Sequence, residues 1–203
     1  YLHASLVWRD ERYRQVVHET IEYVLRELRS PEGGFYSAQD ADSLDEAGHS
    51  HEGHFYVFTP DQVRRIVPAH LVELALDWYE ITDAGNFEGK SIPCRLARRG
   101  QLLRNDDVET IRSLLFAART TRPHPGLDDK VITEWNALMI ASLAEAAAAF
   151  GNDAWALAAQ RAGDFLATTM RSTDGRYLRT WHRDAPGKHL AMAADLANAI
   201  DAY

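Results

Sequence analysis

Cysteine is almost missing from this chain: Cys94 is the single one among 203 residues. A lone thiol excludes an internal disulfide framework and any Cys-x-x-Cys redox pair within the segment. It permits a reducing compartment, and a cytoplasmic location is the expectation. Positive charge is also scarce, with 22 Lys and Arg against 30 Asp and Glu and a net charge of −8. A nucleic-acid groove needs a basic stripe, so no nucleic-acid partner is expected. Long uncharged apolar runs are lacking too. The most apolar stretch, Lys130 to Phe150, is interrupted by Glu134 and Glu145. It does not reach the roughly 20 apolar residues of a membrane span, so no membrane partner is expected. No signal peptide is visible. "GNFEGK" lacks the spacing of a phosphate loop, and "DADSLDEAG" lacks the glycine and terminal glutamate of a calcium loop. His49, His51 and His54 lie near Asp45 and Glu52 and resemble loose metal ligands. They sit in a polar loop, and the reading assigns the chain no metal and no cofactor.

What the chain does have is a repeat. Glu11 to Asp42 aligns without a gap on Asp153 to Asp184, at a constant offset of 142. Tyr13 matches Trp155, Tyr23 matches Phe165, Arg29-Ser30 matches Arg171-Ser172, and Gly33 matches Gly175. Both copies read as amphipathic helices. Tyr13, Val16, Val17, Thr20, Ile21, Val24, Leu25 and Leu28 fall on one face of a 3.6-residue period. Each helix stops at a turn signal, Pro31-Glu32-Gly33-Gly34 or Thr173-Asp174-Gly175. The helix before the second copy, Lys130 to Phe150, is apolar nearly all round and should be buried on most sides. Tyr1 to Trp8 occupies the equivalent place before the first copy, and "ADLANAIDAY" reads as the start of another buried helix. The expectation is a fragment of a longer protein built from paired helices.

Between the copies, "GFYSA" and "HFYVFT" read as two short strands of a β-hairpin insertion over 34–58. Residues 59–127 then read as inserted helices and loops. Thr59 caps a helix with Pro60 in its first turn, Leu71 to Ile81 continues helically, and Asn105 or Asp106 starts a further helix.

Topology gathers the chemistry. The loops Phe35 to Asp42 and Tyr177 to Asp184 each follow an outer helix and lead towards a buried one. Asp128-Asp129 and Asp195 stand at the starts of buried helices. Positive helix-dipole ends there favour carboxylates. Aromatics (Tyr36, Trp135, Trp181) with acids (Asp40, Asp42, Glu88, Asp128, Asp129) suit a carbohydrate, since rings stack on sugar C–H faces while acids bind hydroxyls and move protons. The candidate catalytic acids are Asp40, Asp42, Asp128 and Asp129. The candidate substrate-binding residues are Tyr36, Glu88, Trp135, Asn136, Trp181, His182 and Asp195. Local roles compete: Asp128 and Asp129 as helix caps, Asp40 and Asp42 as turn caps, and the tryptophans as core.

The motifs "GGFYSAQDADS", "EGHFYVFTPDQV", "GNFEGK", "RPHPGLDDKVITEWNALMIASLA" and "DGRYLRTWHRD" resemble, in order, those of the thioredoxin-fused, spermatogenesis-associated protein 20-like proteins. The resemblance covers most of the chain. It departs at His54 and Phe58, where the family usually has lysine and tryptophan, and at Ala137, where it usually has glycine. The resemblance implies an all-α fold: part of a six-hairpin, glycosidase-like (α/α)6 toroid with the small β-hairpin inserted, making residues 1–203 one incomplete toroid domain. It implies glycosidase-like or N-acylglucosamine 2-epimerase-like activity on a carbohydrate. The implied partners are the rest of the chain's own toroid and an N-terminal thioredoxin-like domain. A sugar-binding module without turnover and a scaffold for the redox domain are the competing readings.

Overall fold

The computed structural model describes residues 1–101, 103–185 and 187–203. Residues 1–38 with 127–203 form one compact unit, and residues 39–126 form a second.

The first unit contains the repeat. Helix α1 (Leu2–Trp8) is followed by α2 (Glu11–Tyr23), which runs into a π-helical turn at Val24–Leu28. Helix α6 (Thr133–Phe150) is followed by α7 (Asp153–Thr168). The corner between the helices is the same in both copies. Arg9 and Gly151 both take the left-handed conformation (φ 51° and 65°). The next residue caps the following helix: Asp10 accepts from the Arg12 N–H and Asn152 from the Trp155 N–H. The buried face matches as well, with Val17 and Ile21 corresponding to Ala159 and Gly163. Both helices end in one turn design. The Ser30 N–H donates to the Gly34 carbonyl at 2.7 Å, and the Ser172 N–H donates to the Arg176 carbonyl at 2.8 Å. Arg29 bridges Phe35 as Arg171 bridges Tyr177.

Gly33 sits in this turn at φ 113°, where a Cβ would lie 2.9 Å from the Arg161 carbonyl oxygen. A side chain is strained both by the backbone and by that contact. Gly33→Ala should therefore lower unfolding free energy by about 1–2 kcal/mol. Urea unfolding followed by circular dichroism measures this, and an unchanged midpoint and slope would contradict it.

The core of this unit lies along α6. Ala137, Ile140, Leu143 and Ala147 pack with Ala158, Ala162 and Leu166 of α7 and with Ala199 of α8 (Ala193–Ala202). The alanines let the helix axes approach closely. Helix α6 is less enclosed than its composition suggests: Trp135 and Leu138 are 53% and 49% exposed.

The second unit has its own core. Helices α3 (Pro60–Ile66), α4 (Val72–Trp78) and α5 (Asp106–Arg119) close around Val63, Val67, Ala75, Ile111 and Leu115. The expected caps are present. Thr59 and Gln62 exchange bonds in a capping box over Pro60, and Asn105 accepts from the Val108 N–H.

The all-α reading fails. Strands β1 (Tyr36–Gln39), β4 (Leu127–Ile132) and β5 (Thr180–Trp181) form a three-stranded sheet in the order β1-β4-β5. Strands β2 (Asp42–Leu44) and β3 (Ser50–Glu52) form an antiparallel pair. The helical hairpins are thus neither the whole fold nor one continuous series, and the expected partial toroid gives way to two units that each combine helices with a small sheet. The expected hairpin is also placed differently: "GFYSA" supplies β1, whereas "HFYVFT" is mainly a turn, with Phe58 bridging Ser91. The reason lies in residues 127–132. Lys130 to Ile132 continues the helical pattern of α6 in sequence. Leu127, Asp129 and Val131 nevertheless alternate as a strand, and the β-branched pair Val131-Ile132 favours an extended backbone. The buried helix therefore starts at Thr133, and Asp128 and Asp129 lie on a strand rather than at a helix cap.

Candidate functional site

The sheet of the first unit carries the most chemistry. It forms where the ends of the two repeats meet the approach to α6. Strand β4 runs antiparallel to β5, pairing Val131 with Trp181 and Ile132 with Thr180. The Thr133 hydroxyl donates to the Leu178 carbonyl at 2.6 Å and its N–H to the Arg179 carbonyl at 2.9 Å, tying the start of α6 to the chain entering β5. This register brings the segment after β5 beside Asp129.

His182 Nε2 lies 2.7 Å from Asp129 Oδ1, with both side chains about 40% exposed. The backbone N–H of Asp184 donates to His182 Nδ1 at 3.2 Å. That bond leaves the ring proton on Nε2, the nitrogen in contact with Asp129. Among the described residues Asp129 Oδ2 has no hydrogen-bond partner. Arg183 pairs with Glu32 at 2.6 Å. Tyr36 stands in the field of these groups. Burial pushes its phenol above its ordinary range, the Glu32 carboxylate adds to that, Arg183 opposes it, and Asp129 again raises it. The phenol therefore keeps its proton and can donate it in a hydrogen bond. The cluster offers one carboxylate held on one oxygen and open on the other, a protonated phenol, and a paired guanidinium.

The other expected residues of this unit have different duties. Asp128 accepts from the Lys130 N–H at 3.3 Å and pairs with its ammonium at 3.1 Å. Asn136 is buried and fully used: it accepts from the Phe35 N–H (2.6 Å) and donates to the carbonyls of Phe35 and Ile132 (both 2.9 Å). Asp195 is completely buried. It accepts from the N–H groups of Glu134 (3.1 Å) and Met192 (2.7 Å) and pairs with Arg179 at 3.2 Å. Both residues thus serve the fold. Trp181 packs edge-on against Phe165, with ring centroids 5.2 Å apart, while Trp135 is exposed in the first turn of α6.

Asp40, Asp42 and Glu88 belong to the second unit. Asp40 accepts from the Asp42 N–H at 3.2 Å, and Asp42 accepts from the Ser50 hydroxyl at 3.2 Å. Glu88 is exposed in a left-handed turn (φ 47°). Asp40 and Asp42 are occupied locally, as turn and hairpin chemistry would have them.

Glu32 and Arg183 were not singled out in the sequence. Their neighbours gave the available signal: Glu32 lies in the Pro-Glu-Gly-Gly stop and Arg183 directly follows His182.

No family profile matches the chain. Spermatogenesis-associated protein 20 of Homo sapiens is 32% identical over 88% of the chain, and that of Mus musculus is 31% identical over 92%. The protein of the same name from Rattus norvegicus is 30% identical over 92%. The chain spans 26% to 28% of the length of these relatives. The resemblance read from the motifs therefore holds across nearly the whole chain. Among the described residues no helix is long and apolar enough to cross a membrane.

Proposed function

We propose that this spermatogenesis-associated protein 20-like segment binds a small carbohydrate at the β4–β5 sheet and moves a proton on it, as an epimerase-like site. The observation that carries the reading is the Asp129–His182 contact at 2.7 Å beside Tyr36. Asp129 is the proton acceptor through its open oxygen. His182 is a positioning residue, because Nδ1 accepts from the Asp184 N–H and Nε2 lies against Asp129. Tyr36 donates a hydrogen bond to the substrate carbonyl, where charge develops as the neighbouring carbon loses its proton. Hydrolysis of a glycoside requires two carboxylates facing one bond. The first unit offers one open acid in the cluster, with Glu32 tied to Arg183, and this favours proton transfer over hydrolysis. In this reading the protein works in the cytoplasm, and its partners are the rest of its own chain and an attached thioredoxin-like domain.

The mutual pairing of the charges, and the engagement of Trp181 with Phe165, favour a second reading of a binding module without turnover. One experiment separates them. The full-length protein is incubated with a panel of aldoses and N-acylhexosamines in deuterated water, and deuterium at the carbon beside the carbonyl is read by nuclear magnetic resonance. Exchange should appear in the parent and fall by about 100-fold in Asp129→Asn, the size expected for losing an acid–base group. Saturation transfer to a sugar without exchange would support the binding module. Equal exchange in parent and variant would remove Asp129 from the mechanism.

A further inference from the structure

We infer that the hairpin of the second unit is a divalent metal site, formed by Asp45, His49 and His51 and suited to zinc. The three residues lie on and beside the turn joining β2 to β3. The Asp45 N–H donates to the His49 carbonyl at 2.8 Å, and the Gly48 N–H donates to the Asp45 carbonyl at 3.1 Å. This closes a tight turn that places the residues over one another. The ligand atoms of all three come within 4.8 Å of one another.

The two oxygens of Asp45 have separate duties. Oδ1 accepts from the N–H groups of Ala47 and His49, both at 2.9 Å. Oδ2 faces both imidazoles, 3.0 Å from His51 Nε2 and 3.5 Å from His49 Nδ1. Zinc holds nitrogen and oxygen at about 2.0–2.1 Å in a tetrahedron, which sets neighbouring ligand atoms roughly 3.3 Å apart. The two carboxylate–imidazole separations bracket that edge, and the two imidazole nitrogens lie within 4.8 Å of each other. The bonds to Oδ1 fix the carboxylate in the way outer partners orient metal ligands. Two imidazoles and one carboxylate form a mixed set that suits zinc and its neighbours better than magnesium or calcium, which prefer oxygen alone.

Surroundings complete the case. Asp45 and His51 line a cavity of about 240 Å³ with Glu52, His54, Glu88 and Lys90. A fourth position would therefore face open space, leaving water or a small ligand there. His54 stands beside this group without joining it: its Nδ1 lies 3.4 Å from the Lys90 ammonium, which discourages a cation at that nitrogen. The site is independent of the Asp129 cluster and does not rest on the proton-transfer reading.

The test is a zinc titration of the full-length, chelator-treated protein by isothermal calorimetry. The parent should bind one zinc more than the His49→Ala/His51→Ala double variant, and each single variant should lose at least about tenfold in affinity at that site. Both histidines are largely exposed (74% and 48% of their side chains), so thermal unfolding in chelator should be the same for parent and variants. His182→Ala should bind as the parent does. Equal stoichiometry and affinity in parent and double variant would overturn the assignment. So would loss of the site in His182→Ala instead, or an absence of zinc binding by the parent at up to millimolar metal.

Discussion

Replacing Asp195 by alanine should lower the unfolding free energy by about 4 kcal/mol, within the range for breaking a buried charge pair. The carboxylate is fully buried and serves three groups: the Arg179 guanidinium, the Met192 N–H at the start of α8, and the Glu134 N–H in the first turn of α6. The truncated protein would leave both N–H groups, which lie in part-buried bonds, without that acceptor, at a cost towards the lower end of about 1–3 kcal/mol each. Arg179 tempers the loss, since its side chain is about a third exposed and can regain water. Asp195→Asn should fall between parent and alanine, because its amide keeps one acceptor oxygen but presents donors where donors already point. Chemical denaturation followed by far-ultraviolet circular dichroism measures both. A loss below about 1 kcal/mol for the alanine variant would mean that water replaces the carboxylate and that the helix starts are held by packing alone.

Asn136→Ala should cost about 3 kcal/mol. Its amide satisfies both the N–H and the carbonyl of Phe35 and also meets the Ile132 carbonyl. Asn136 is 1% exposed, so no solvent reaches the vacated place without rearrangement. Two unsatisfied backbone groups and a small cavity then add. Asn136→Leu tests the polar part separately. It fills the volume, so a loss as large as that of alanine would assign the cost to the Phe35 backbone. Near-parental stability in the leucine variant would show that packing, rather than the amide, holds α6 against the segment leading into β1.

The two residues also mark how far the sequence could be read. The repeat was legible in its helices and turns, because a constant offset pairs Arg29-Ser30 with Arg171-Ser172 and Gly33 with Gly175, whereas the matched corners at Arg9 and Gly151 and the caps at Asp10 and Asn152 emerge only in the structure. Local signals such as Thr59 before Pro60 held for the same reason, since the physics involved spans four residues. The sheet was not legible. Strand β5 is two residues long, and β4 carries Asp128, Asp129 and Lys130 in front of a strongly helical run. Its partners lie far along the chain, and only the folded register brings His182 to Asp129. The same limit hid the duties of Asp195 and Asn136. Both looked like polar residues at an opening, whereas long-range bonds to Arg179 and to Phe35 turn them inward.

The neck of the second unit has a bearing on how the chain finds its structure. The Asp40 N–H donates to the Gly126 carbonyl at 2.6 Å, so the unit begins and ends at one point. Residues 38 and 127, on which β1 and β4 depend, flank that point. Pairing β1 with β4 from an unfolded chain would mean closing a long loop, whose entropy must be lost before any contact rewards it. Once residues 39–126 have collapsed on Val63 and Ile111, the loop is already tied and the strands meet as near neighbours. An inserted unit that closes first would act as a clasp in time, shortening the search for the sheet that carries Asp129.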